Sequence, residues 1–247
     1  MDAIASGLLY AGALLTIVAG VSVLKPVRRL GFRRRSRAAL ACAFGAGLAV
    51  AAALLPASVA TIENHACKLD DYLPTYHFHE VHNTVVQAEP AAVYAAIKAV
   101  TPAEISGFRM MTWLRAPHFG LARPSLAAAP PDQPVLETAT NAGFLVLADQ
   151  PQEIVIGAIG FGPPVDVEAP SPDGFLKFDR PGYVKVAMNF TLAAQPGGGS
   201  SLFTETRAFA TDASASRTFG ASWRTILPAT SWIRGAWLRA IKARAEK

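Results

Sequence analysis

Two long uncharged runs open the chain, and alternating and stepped patterns fill the rest. Residues Ala3 to Leu24 carry no charge, with Ser6, Tyr10, Thr16 and Ser22 as the polar side chains. A helix of that length spans about 33 Å, enough for a hydrocarbon core of about 30 Å. A second uncharged run goes from Ala38 to Ala60. The pattern predicts two transmembrane helices, 3–24 and 38–60, joined by a loop at 25–37 where Pro26 and Gly31 interrupt the helix. Small residues recur every fourth position, at Gly12, Thr16 and Gly20 in one run and at Ala41, Gly45, Ala49 and Ala53 in the other. Such faces let helices touch, so residues 1–60 read as a helical hairpin.

Residues 61–75 read as a linker, and the pattern changes after it. Tyr76 to Ala88 is rich in β-branched and aromatic residues and predicts a strand. Pro90 suits a first helical turn, and Val93, Ile97 and Val100 share one face of a helix over 91–100. Thr101-Pro102-Ala103-Glu104 carries a capping box and starts a second short helix. Residues 120–134, rich in Pro and Ala, read as a surface loop. Two strands follow, at 143–148 and 154–160, apolar on both faces as central strands are. A short strand is expected at 175–179. Tyr183 to Leu192 alternates with period two, a Gly-rich hairpin follows at 196–200, and 202–211 is the last strand. Asp212 then caps a helix whose stripe of Phe219, Trp223, Ile226, Thr230, Ile233, Trp237 and Ile241 covers more than six turns, with Pro228 inside it.

Residues 76–247 therefore predict an α+β domain, a curled antiparallel sheet closed by a long C-terminal helix. Bulky aromatics on both sides of a curved surface leave a gap, so a helix-grip arrangement with a partly apolar cavity is expected.

Charge adds orientation to this picture. The 247-residue chain has a net charge of +5. Lys25, Arg28, Arg29, Arg33, Arg34, Arg35 and Arg37 all lie in the loop, whereas the chain from Ala57 onward has one more acid than base. Basic loops stay in the cytoplasm, so both termini, and with them the domain, are expected on the far side of the membrane. The alternative is that Arg33 to Ala60, ending in Ser58-Val59-Ala60, is a cleaved signal that frees the domain. The domain has no basic surplus, so nucleic acid is not an expected partner.

The segment Phe78-His79-Glu80-Val81-His82 through Val85, followed by Ala88-Glu89-Pro90-Ala91-Ala92-Val93-Tyr94-Ala95-Ala96-Ile97, resembles the opening of the START-related superfamily of polyketide cyclases and lipid-transfer domains. Pro181 to Phe190 resembles its late strand, and Thr204-Glu205-Thr206-Arg207 with the Trp223–Ile241 helix resembles its ending. The resemblance covers roughly 76–246 and points to a membrane-anchored bacterial subgroup of unassigned role. It implies the helix-grip fold but no shared catalytic motif, and fold alone does not carry function.

Candidate chemistry is correspondingly sparse. Trp113, Phe144, Met188, Phe190 and Trp223 are expected to line an apolar ligand pocket. Glu205 and Arg207 share one face of the last strand. Facing the pocket, they would contact the ligand; facing outward, they would be an ordinary pair. His77 and His79 alternate with Glu80 and His82 on opposite faces, so no metal site is expected. Cys42 and Cys67 are too far apart for a disulfide. No cofactor motif occurs: Gly157, Gly160 and Gly162 lack the context of a phosphate loop. The expected function is a bilayer-tethered binding protein for an apolar or amphipathic small molecule, lipids included. The alternatives are a cyclase- or hydrolase-type enzyme using a pocket carboxylate, and an interaction protein with a filled core.

Overall fold

The computed structural model describes residues 2–25, 34–115, 129–160, 162 and 171–247. They form two compact units, Met1–Ser58 with Gly220–Leu227, and Val59–Phe219 with Pro228–Lys247.

The first unit is built on α1 (Asp2–Leu24) and α2 (Arg35–Ala53). Both helices are long and apolar enough to cross a membrane. Large side chains such as Ile4, Leu14, Ile17, Leu40 and Phe44 point outward, and the helices meet through their small residues. A Cβ on Gly12 would lie 2.7 Å from the Gly45 carbonyl oxygen, and one on Gly45 would lie 2.8 Å from the Gly12 carbonyl oxygen. Only glycine permits that approach. The second helix stops at Ala53, seven residues before the expected end at Ala60. Pro56 explains this: it cannot donate a helical hydrogen bond, and it disfavours helical backbone at the residue before it. Arg224, from the C-terminal helix Ala213–Ala245, donates to the carbonyls of Ala53 and Leu55 at 2.9 and 2.8 Å. Carbonyls at a helix end lack partners within the helix, and a buried guanidinium supplies one here. Most of the basic loop, 26–33, lies outside the described residues.

The second unit runs β1 (Ala60–Thr61), α3 (Lys68–Tyr72), β2 (Thr75–Tyr76), β3 (Phe78–Val86), α4 (Pro90–Ala99), a 3-10 turn (Pro102–Glu104), α5 (Phe108–Arg115), α6 (Val135–Asn141), β4 (Leu145–Gln150), β5 (Glu153–Gly160), α7 (Pro172–Lys177), β6 (Val184–Ala194), β7 (Ser200–Ala210) and α8 (Ala213–Ala245). The five long strands form one antiparallel sheet in the order β3-β7-β6-β5-β4, so the first strand lies beside the last. The hairpin between β6 and β7 needs positive φ at Gly197, Gly198 and Gly199. The cap of α8 forms as expected, with the Asp212 side chain accepting the Ala215 amide. Its last turns are tied back by Arg244 on Glu104 (2.8 and 2.9 Å) and Lys242 on the Val85 carbonyl (2.8 Å).

The sheet is covered on both faces. On its inner face Ile154, Ile156, Met188, Phe190, Leu192 and Leu202 pack with Val93 and Ile97 of α4 and with Trp237 and Ile241 of α8. Phe190 meets Trp237 edge-on at 5.1 Å, and Phe78 meets Phe219 at 5.3 Å. Such ring pairs add about 0.5–1.5 kcal/mol each beyond burial. On the outer face Val155, Ala187 and Leu147 pack with Leu69 and Leu73 at α3 and Phe175 of α7.

Several expectations change. The stretch 61–75 is no plain linker: β1 pairs with β2, and Leu69 and Leu73 are buried. Residues 175–179 do not form a strand. Ser171 accepts the Gly174 amide, Pro172 takes the first turn, and 172–177 is helical. The 143–148 strand begins at Leu145 and is an edge strand rather than a central one. Helices α5 and α6 add to the expected set. The 120–134 stretch lies outside the described residues up to 128, as do 163–170.

Candidate functional site

Strand register places Glu80, Thr206, Met188, Ile156 and Val146 in one row across the inner face. The row is polar at the β3 end and apolar at the β4 end. At the polar end Glu80 Oε1 takes a contact from His82 Nε2 at 2.8 Å and a hydrogen bond from Ser231 Oγ of α8. The Glu80 side chain is 8% exposed. Burial pushes its carboxyl upward, but the bonds from His82 and Ser231 and the positive charge of Arg234 outweigh this and hold it below the usual range. Arg234, one turn after Ser231, reaches the Met188 sulfur and lies 5.6 Å from the centre of the Trp237 ring.

At the apolar end is an open cleft of about 250 Å³, lined by Val146, Ile154, Ile156, Leu136, Pro134 and Thr140, with Lys98, Glu137 and Asp149 also on its wall. Its rim is fixed by Asp149, which accepts from Tyr94 Oη at 2.5 Å and pairs with Lys98 Nζ at 2.7 Å. These bonds hold the Asp149 carboxyl below its ordinary value.

The outer face carries a different polar set, all of it spent on structure. Arg207 grips Glu205 through Nε and Nη2 at 2.8 and 2.9 Å, pairs with Asp70 at 2.7 Å, and donates to the Leu73 carbonyl at 3.2 Å. Asp70 also accepts the amides of Ala66 and Cys67 at 2.8 and 3.1 Å. Burial tends to raise the Asp70 carboxyl; the amides and Arg207 more than reverse that and hold it low. Glu153 accepts the amides of Lys68 and Leu69 at the start of α3 and the side chain of Asn189 at 2.8 Å. Nearby, burial first and then the neighbouring acids push the Cys67 thiol up to about 12.

The seven expected ligand contacts therefore separate. Met188 and Phe190 are buried on the inner face, and Phe144 packs against the same core. Glu205 and Arg207 lie on the opposite face beneath α3, removed from the inner face and buried rather than forming an exposed pair. Trp223 is buried in the segment of α8 that belongs to the first unit. Trp113 is in α5, and its side chain lies outside the described residues. Among the described residues no group of three His, Cys, Asp or Glu is placed to hold a metal ion. The polar end of the row was the part missed. Positions 230, 234, 237 and 241 follow one helical face, so Arg234 sits on the apolar stripe itself, and that was the available signal.

Comparison with protein-family models, curated proteins and solved structures finds no match to this chain.

Proposed function

We propose that the chain is a membrane-anchored binding protein whose second unit holds an apolar or amphipathic small molecule on the inner face of its sheet. The carrying observation is the row from Glu80 to Val146, which passes from polar to apolar and ends at an open cleft. The strand order, with first beside last and a long helix after it, supports a START-like helix-grip reading. The cleft's 250 Å³ falls just below the range of about 300–1,000 Å³ usual for ligand pockets. That size favours a single short chain or ring over a two-chain lipid.

The tether in this reading is the pair of apolar helices, with the basic loop cytoplasmic and the domain on the periplasmic side of a bacterial inner membrane. The Arg224 bonds to Ala53 and Leu55 support a retained second helix, since cleavage after Ala60 would remove both acceptors. The cyclase or hydrolase alternative is weaker. A general base works best with a pKa near the working pH, and Glu80 is held low.

Native mass spectrometry of full-length protein, extracted from its own membranes into polymer discs, tests the reading. The expected result is a bound small molecule that is lost when Ile156→Trp fills the cleft. Protein that is always empty, and whose melting no added amphiphile raises, would contradict it.

A further inference from the structure

The two arginines on the sheet faces of the second unit are treated differently. Arg207 is saturated by two carboxylates and a carbonyl, as a structural buried arginine must be. Arg234 is not. Its contact on the sheet is the Met188 sulfur, and a thioether is a weak acceptor. Among the described residues no carboxylate lies within ion-pair distance of it. Glu80 acts on it only through charge, and Glu80 Oε1 already serves His82 and Ser231. Burial pulls the Arg234 pKa down to about 10 against that charge. A guanidinium carries five donors in a planar fork that matches a carboxylate. This one reaches the row at Met188, between its polar and its apolar ends.

We infer that Arg234 is the head-group anchor of the proposed binding site, and that the ligand is a single-chain amphiphile with one carboxylate. This rests on the ligand-binding reading above. The head takes the place of the Met188 sulfur on the Arg234 fork, beside Ser231 and Thr206, and the tail runs past Ile156 into the cleft whose wall Ile156 forms. Strands lie about 4.8 Å apart, so Met188 to Val146 is two spacings, about 10 Å. Charge selects the head. A carboxylate brings one negative charge toward Glu80, whereas a phosphate monoester brings about 1.5 to 2.

The test is binding of octanoic acid, 1-octanol and octyl phosphate to full-length protein in lipid nanodiscs, with empty discs subtracted. Octanoate is expected to bind saturably, and octanol and octyl phosphate at least tenfold more weakly. Arg234→Gln is expected to lose tenfold or more of the octanoate affinity with an unchanged circular dichroism spectrum. The comparison of the three ligands on the unaltered protein does not depend on that variant folding. Octanol binding as well as octanoate overturns the carboxylate anchor while leaving the binding reading standing. So does a folded Arg234→Gln that keeps its octanoate affinity. Octyl phosphate binding more tightly than octanoate overturns the choice of head. No saturable binding of any of the three overturns both this inference and the reading beneath it.

Discussion

Replacing Arg207 with methionine removes the one cation from a buried set that holds Asp70 and Glu205. Four polar contacts disappear: two to Glu205, one to Asp70 and one to the Leu73 carbonyl. Asp70 and Arg207 are each 3% exposed, so water cannot take over. Breaking a buried pair from one side costs about 3–5 kcal/mol, against a typical domain stability of about 5–15 kcal/mol. At about 2–4 °C per kcal/mol for a domain of this size, the melting temperature should fall by roughly 6–20 °C. The loss should concentrate at α3, because Asp70 is in that helix and Leu73 ends it. Hydrogen exchange of peptides covering residues 66–76 reads this directly, and they should exchange faster in Arg207→Met than in the parent. Arg207→Met with Glu205→Met removes one of the two stranded carboxylates and should recover part of the loss, since apolar replacement of buried ions is often close to neutral, while Asp70 stays without its cation. A single variant that loses under about 1 kcal/mol, with exchange at 66–76 unchanged, would refute the assignment of this set as the pin that holds α3 to the sheet.

Other outcomes follow from the same geometry. Gly45→Val should separate α1 from α2, since even a Cβ would meet the Gly12 carbonyl at 2.8 Å; cysteine cross-linking between the helices should drop in yield, and an undiminished yield would count against the packing. The Asp70 carboxyl is held below its unfolded value of about 3.9. Its contribution is therefore complete above about pH 4 and is lost as pH falls through the lower folded value. Unfolding measured between pH 5 and 2 should depend less steeply on pH in Asp70→Asn than in the parent. Cys67, raised to about 12, should react slowly with maleimide at pH 7.5. A cysteine at exposed Glu63, in a Cys67→Ser background, should label fast, and from the periplasmic side in intact cells.

The parts of the fold most legible in the sequence were those with a strong period and a local stop signal. Tyr183 to Leu192 alternates cleanly and forms β6, and Asp212 with the aromatic stripe marks α8. Pro56 is an equally plain stop signal, but the uncharged run continues past it to Ala60, so absence of charge overstates the length of the second helix. Phe175 to Asp179 misled because five residues carry too little periodicity, while the decisive Ser171-Pro172 signal lay before them. The reach of Glu205 and Arg207 was invisible for a different reason. Alternation says that they share a face, but which face depends on α3, a five-residue helix in a stretch with no visible pattern. Arg234 and Ser231 were hidden because a charged residue on an apolar stripe reads as a boundary of the stripe. Only the cross-strand row shows that the sheet opposite is polar there too.

The most direct measurement of the central claim is methyl NMR of the full-length protein in nanodiscs, with isoleucine, leucine, valine and methionine methyls labelled, during titration with octanoic acid. The account predicts saturable shifts at Met188, Ile154, Ile156 and Val146, with Leu69, Leu73 and Val155 on the other face unmoved. Shifts confined to that other face, or none that saturate, would contradict it.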